Sequence, residues 1–262
     1  MNISVGRVWA VFLRYFYIFT KLDQLADLFY WPVIDIFLWG MATVWIKRLD
    51  PAASEISLVI LTGLIFWGIV LRGNYEVGVN LLQEFWSRNL VNLFSTPLKM
   101  IEWVFGIMLV CLFKIIISLS FAALVVYLLY TLNVFSVGWA FLPFALSLIL
   151  SGWAIGFLTG GILVYWGQRL QMLAWMSAYI FAPFSAVFYP VSALPSWAET
   201  IAWTLPTTYV FEGMRVVLYT KTFPIRYFIM SVLLNILYLS LSLFFFSIMY
   251  KKSRVKGFAR IE

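Results

Sequence analysis

From Lys114 to Arg169 the chain reads KIIISLSFAALVVYLLYTLNVFSVGWAFLPFALSLILSGWAIGFLTGGILVYWGQR, and between those two cations there is no Asp, Glu, Lys or Arg. The hydrocarbon core of a bilayer is about 30 Å thick and takes about 20 largely apolar residues per helix. The stretch therefore has room for two spans. One covers about 103–131, interrupted only by Lys114, and the next about 139–166, with a tight uncharged turn around 133–138 between them. The whole chain has the same character: 64% of its 262 residues are apolar and 11% charged, against about a quarter charged in an average soluble domain.

Outward from this stretch, further apolar runs predict spans over about 28–46, 56–71, 170–188 and 227–250, which makes an all-α membrane protein of six transmembrane helices. No internal repeat, low-complexity tract or second domain is visible, so residues 1–262 read as one transmembrane domain. Ahead of the first span, Arg7, Arg14 and Lys21 recur every seven residues along one helical stripe, with Val8, Trp9, Val11, Phe12, Tyr15, Phe16 and Phe19 around them. This pattern predicts an interfacial helix whose cations reach lipid headgroups while its aromatic face dips inward. Arg7 and Arg14 also break up the apolar run that a cleaved signal peptide needs, so the N-terminus is expected to stay.

Lys and Arg in short loops set orientation. With the N-terminus inside, the cytoplasmic face receives Arg7, Arg14, Lys21, Arg72, Arg88, Lys99, Arg169, Lys251, Lys252, Arg254, Lys256 and Arg260. The outer face receives Lys47, Arg48, Arg215, Lys221 and Arg226. The expectation is a multi-pass protein of the cell's inner membrane with both termini cytoplasmic. The net charge of +7 then reflects topology, with lipid and not nucleic acid as its counterpart.

The absence of histidine removes Ser-His-Asp and Cys-His chemistry and His-based metal sites, so no catalytic or metal site is expected. No G-x-x-x-x-G-K-[ST] loop is present; the chain has no Walker cradle for ATP and is expected to bind no cofactor itself. Cys111, alone in an apolar run, reads as a packed thiol.

Two segments carry motifs. After the second span come Glu84-Phe85-Trp-Ser-Arg88-Asn89 and, further on, Pro97-Leu98. Glu84 and Arg88 stand at i and i+4 in the favourable order for a helical pair, and Pro97 ends or bends the run. An amphipathic helix here suits docking to a cytoplasmic partner, or else simply connects two spans. Before the last span, Phe188-Tyr-Pro190-Val-Ser-Ala-Leu-Pro195-Ser-Trp197 is followed by Leu205-Pro206-Thr-Thr-Tyr209-Val-Phe-Glu212-Gly-Met-Arg215. Prolines deny a continuous helix there, and irregular backbone at membrane depth needs protein or a water-filled cavity to cover it. Short re-entrant helices at the outer face fit. Glu212 and Arg215 can pair at i and i+3.

These two segments, with the six-span layout, resemble the ABC-2 type family of transporter permeases over nearly the whole chain. In that family a glutamate, a basic residue and a Pro-Leu pair follow the second span, as Glu84, Arg88 and Pro97-Leu98 do here, in a segment holding the coupling helix. The proline-flanked outer signature of the family is matched by Pro190, Pro195, Pro206, Tyr209, Glu212 and Arg215. The resemblance implies a dimer of permeases, here expected as two copies of one chain, each bound to a cytoplasmic ATP-binding-cassette ATPase that holds ATP and Mg. It implies export of an amphipathic or lipid-linked substrate such as a glycan, lipid or drug, with no enzyme activity on this chain.

Asp35 and Lys114 lie within spans, where ionisable groups are expensive and functional by default. Their depths, about 6 Å apart at about 1.5 Å per residue, predict a pair fixing the first span against the third. Most aromatic residues suit span ends, while Trp153, Trp166, Trp175 and Tyr179 are candidates to line a path. Gly152, Gly156 and Gly160 form a small-residue face for close packing within the subunit. An ion-coupled secondary transporter is the competing reading, although such proteins carry paired interrupted helices and more intramembrane acids. A membrane-embedded transferase has little chemistry to draw on here.

Overall fold

A computed structural model describes residues 3–49 and 54–256, and all of its regular structure is helical. Ten α-helices follow one another: α1 (Val5–Phe19), α2 (Leu22–Leu49), α3 (Ser54–Trp86), α4 (Leu90–Ser95), α5 (Met100–Tyr130), α6 (Phe141–Trp166), α7 (Leu173–Phe181), α8 (Ser196–Ala202), α9 (Pro206–Thr220) and α10 (Ile225–Lys256). Among the described residues, five helices are long and apolar enough to cross a membrane: α2, α3, α5, α6 with its flanking 3-10 turns, and α10. The chain is a multi-pass helical membrane protein.

The sixth span expected over 170–188 differs. Its α-helix is nine residues long, followed by a 3-10 turn at Ala182–Phe184 and another at Val191–Ala193. The segment nonetheless runs antiparallel along α3. Trp86 Nε1 donates to Gln171 Oε1 at 3.4 Å, Asn74 Nδ2 donates to the Ala174 carbonyl at 3.1 Å, and a Cβ on Gly63 would meet the Val187 carbonyl at 2.6 Å. From Trp86 back to Gly63, α3 rises about 34 Å. The stretch from Gln171 to Val187 matches that length with fewer residues because the α-helix Leu173–Phe181 is followed by a 3-10 turn and irregular backbone, which rise more per residue, and because Trp86 and Gln171 meet through their side chains.

The second span also differs from expectation: the helix does not stop at Leu71 but continues to Trp86. Arg72 and Glu76, read as the start of a polar cytoplasmic stretch, are inside the bundle because each has a buried counter-ion. The link at 50–53 and Arg260 lie outside the described residues.

Packing centres on α3 and α6, which run parallel. Gly152 stands against Gly73 and Val70, and Gly156 against Gly73 and Val77. A Cβ on Gly73 would come 2.9 Å from the Gly152 Cα. Neither site has room for a side chain, so the backbones touch, as small-residue faces allow in membranes. Further along α6, Gly161 lies against Phe245 and Phe246 of α10. At its other end α6 meets α10 through a buried polar ladder: Ser147 and Ser231 hydroxyls at 2.6 Å, and Ser151 Oγ donating to Asn235 Oδ1 at 2.7 Å. Gly167, at φ +71°, ends α6.

α1 follows α5 in register, with Arg7 at Glu102, Val11 at Gly106, and Phe12, Phe16 and Phe19 around Phe113. α2 continues beside α5, with Phe29 on Phe121 and Gly40 against Tyr130.

Candidate functional site

The starts of α3, α6 and α10 share one end of the bundle, and α4 sits at the other. Between them α2, α3, α5 and α7 border an open-sided cavity of about 410 Å³, within the range of small-molecule sites. Its walls include Trp31, Asp35, Gly68, Arg72, Tyr75 and Tyr179. Gly68 faces open space, with no neighbouring heavy atom within 4 Å of where a Cβ would stand. Pro32, also in the wall, leaves α2 one backbone hydrogen bond short beside the cavity.

A chain of ions runs from the cavity wall, where Asp27 and Arg72 stand, into the bundle behind it. Lys114 Nζ donates to Glu76 Oε2 at 2.7 Å, and both side chains are 5% exposed or less. Arg72 NH1 donates to Asp27 Oδ2 at 3.2 Å and approaches Glu76 Oε1 at 3.5 Å. Asn80 Nδ2 donates to Glu76 Oε2 at 3.1 Å. The Lys114 ammonium also lies 5.0 Å over the Phe19 ring, and the Arg72 guanidinium 5.2 Å over Tyr75. Buried ions persist only when paired and hydrogen-bonded, and this chain of ions meets that requirement by linking α2, α3 and α5.

The expected Asp35–Lys114 pair is therefore corrected: Lys114 belongs to Glu76. Depth separates the expected partners: Phe29 meets Phe121 and Gly40 meets Tyr130, which sets Asp35 roughly 15 Å beyond Lys114 along α5, whereas Glu76 of α3 lies level with the ammonium. Asp35 lines the same cavity and, among the described residues, has no hydrogen bond or ion pair. Of the aromatic candidates, Trp175 and Tyr179 line the cavity. Trp153 is core and donates Nε1–H to Cys111 Sγ at 3.2 Å, and Trp166 is exposed elsewhere. Cys111 is buried and unbridged.

Twelve residues beyond Arg72 on α3, Glu84 forms a second buried centre. It is 1% exposed and accepts from Arg14 Nε at 2.9 Å, Arg14 NH2 at 2.8 Å, the Tyr15 hydroxyl at 2.9 Å and Asn89 Nδ2 at 2.8 Å. Tyr15 in turn accepts from Trp103 Nε1 at 2.9 Å. Burial, reinforced by the Glu84 charge, pushes the Tyr15 phenol well above its usual range and keeps it a donor. Two turns back along α1, Arg7 holds Glu102 through Nε and NH2, both at 2.7 Å, and the Ser4 N–H donates to Glu102 Oε1 at 2.8 Å.

Two expectations change here. Arg7 and Arg14 are engaged by protein carboxylates and not by headgroups alone, because Glu84 and Glu102 are shut away from water and need counter-charge. Nor do Glu84 and Arg88 pair: α3 has ended before Arg88, whose φ of +49° turns its side chain outward. Glu84 and Phe85 are buried scaffold, Asn89 ties the turn to Glu84, and among the described side chains of residues 86–97 those exposed are Trp86, Ser87, Arg88, Asn92, Ser95, Thr96 and Pro97.

At the other end, Glu212 and Arg215 of α9 pair at 3.0 Å. Glu212 Oε1 also accepts the Val191 N–H at 2.7 Å, while Arg215 NH2 donates to the Ala186 and Val187 carbonyls. The pair staples the irregular stretch 186–191, including Ala186 at φ +55°, onto α9. Burial pulls the Arg215 guanidinium below its usual value, against the opposing pull of Glu212. Pro206 starts α9, and its carbonyl accepts from Ser231 well inside α10. Tyr209 hydroxyl donates to the Trp203 carbonyl at 2.9 Å and fixes the α8–α9 corner. Pro190 and Pro195 flank the 3-10 turn between α7 and α8.

Sequence reasoning missed Asp27, Arg72, Glu76 and Asn80 as one intramembrane cluster. The signal was the alternation of Gly73, Val77, Gly78, Leu81 and Leu82, which continues a helix-packing pattern through the charges. Among the described residues, no group of three or more His, Cys, Asp or Glu is placed to hold a metal. Neither the protein-family models nor the curated proteins contain a match to this chain.

Proposed function

We propose that this chain is the permease subunit of an ATP-binding-cassette exporter, forming the path for an amphipathic or lipid-linked substrate while a separate ATPase binds ATP and Mg. One observation carries the reading: α3 forms a wall of the cavity and, farther along, holds the buried Glu84 clamp from which α4, with Asn92 and Ser95 exposed, projects. A push on α4 by a partner is thereby delivered to α1, α3 and the cavity wall as one body. The docking surface is α4 with Arg88 and Pro97, whereas Glu84, Phe85 and Asn89 hold it in place.

On this reading the segment from Gln171 to Val187 is the fifth of six crossings, both termini are cytoplasmic in the inner membrane, and α8–α9 is a re-entrant hairpin at the outer face. The fit along about 34 Å of α3 and the seat of Pro206 on α10 support that layout. The second copy of the chain packs on α2, whose outward face presents Ile34, Leu38, Met41 and Trp45 to its surroundings.

The test is co-purification with an ATP-binding-cassette ATPase encoded beside this chain, comparing native protein with Arg88→Glu and with Glu84→Gln. Arg88→Glu is expected to abolish the complex and stimulated ATP turnover while the chain keeps its thermal stability. Glu84→Gln lowers stability first. A native chain that binds no such ATPase sinks the reading. Asp35, unpaired at mid-depth, favours the ion-coupled alternative; transport driven by a proton gradient in vesicles without ATP, and lost in Asp35→Asn, would establish it.

A further inference from the structure

The ions around the cavity do not balance. Among the described residues, Asp27, Asp35 and Arg72 line it, and Glu76 and Lys114 are buried behind Arg72, so three negative charges stand against two positive ones. The surplus sits on Asp35, since both cations are held by the other two carboxylates. An unpaired carboxylate in a low-dielectric wall is costly unless it gains a proton or a cation. A bare metal ion is a poor partner: calcium takes six to eight oxygens, and beside Asp35 the walls offer chiefly Ile, Leu and aromatic side chains.

We infer that the cavity binds a lipophilic organic cation, with Asp35 as its counter-charge and Trp31, Trp175 and Tyr179 as its aromatic walls. Aromatic faces attract cations within about 6 Å of the ring centroid, most strongly when water is excluded. The apolar lining takes the hydrophobic body of the same ligand, and the volume of about 410 Å³ suits one drug-sized molecule. Arg72 and Lys114 do not repel it, because each is already neutralised within the chain of ions. Calling this ligand the cargo rests on the exporter reading; the binding itself does not.

The experiment uses the purified full chain, without ATPase, in nanodiscs of neutral phosphatidylcholine. Equilibrium binding of radiolabelled tetraphenylphosphonium is compared with that of tetraphenylborate, a lipophilic anion of the same shape. Saturable binding of the cation only is expected. Asp35→Asn weakens it tenfold or more, Asp35→Glu retains most of it, and Tyr179→Leu weakens it several-fold. Equal cation binding by native protein and Asp35→Asn, or saturable binding of the anion, overturns the inference. Thermal stability of each variant is measured alongside; should Asp35→Asn not fold, Tyr179→Leu together with the cation–anion contrast still decides. Cation binding that persists where the ATPase fails to associate removes the exporter reading and leaves this site standing.

Discussion

α2 and α3 are both long apolar helices lining one cavity, yet 72% of the most apolar window of α3 is buried and only 17% of that of α2. α3 is held on every side: by α6 through backbone contact at Gly73, by α5 through Lys114, by the α7 segment through Asn74, and by α1 through Glu84. α2 is held by Asp27 on Arg72 and a few ring contacts, and turns most of its large apolar side chains outward. Without water there is no hydrophobic drive between helices in lipid, so hydropathy does not predict burial. Small residues and paired charges do. α3 is the buried wall of the cavity, and α2 is the wall that faces outward.

The largest effect that separates the two walls is expected at Glu76. Glu76→Gln leaves the buried Lys114 ammonium without its carboxylate and costs about 3–5 kcal/mol, read by thermal unfolding in detergent, whereas Lys114→Met costs less because Arg72 and Asn80 still face Glu76. The double variant is expected to be milder than Glu76→Gln; strict additivity would show that the two do not act as a pair. Next comes Gly73→Val, where overpacking against Gly152 costs about 1–3 kcal/mol. Gly68→Ala, five residues away on the same helix but facing the open cavity, is expected to change stability by no more than about 0.5 kcal/mol.

Arg14→Ala leaves Glu84 short of its bidentate partner and costs about 1–3 kcal/mol, whereas Arg88→Ala is near neutral in stability and acts on partner binding. Equal losses of stability at both positions would place them in one network. The smallest effect is expected on α2. Leu38→Ala stays within about 0.5 kcal/mol of the native chain, and Leu38→Cys in a Cys111→Ser background forms a disulfide-linked dimer in membranes if the second copy packs there. A chain that stays monomeric on oxidation moves the dimer seam off α2.

Reading residues alone located the helices whose boundaries are set by composition: the uncharged stretch from Lys114 to Arg169 became the main part of α5 and α6, and the prolines from Pro190 to Pro206 bound short helices. The Gly152, Gly156 and Gly160 face packs within the subunit as expected. Arg72 and Glu76 misled, because a charge at the end of an apolar run looks the same whether it meets water or a buried partner. Glu84 and Arg88 misled for a related reason: i, i+4 spacing pairs two residues only where the helix continues through both.

By itself the sequence determined the solvent in which this chain folds, the approximate position of its long helices, the proline-broken segment before the last one, and the lack of histidine chemistry or a Walker loop, because all of these follow from local composition. Tertiary structure alone decided that Lys114 meets Glu76, that Arg14 meets Glu84, and that Asp35 faces a cavity with no partner among the described residues. Those outcomes depend on how each helix is rotated and how deeply it sits beside its neighbours, and a one-dimensional pattern leaves both of these free.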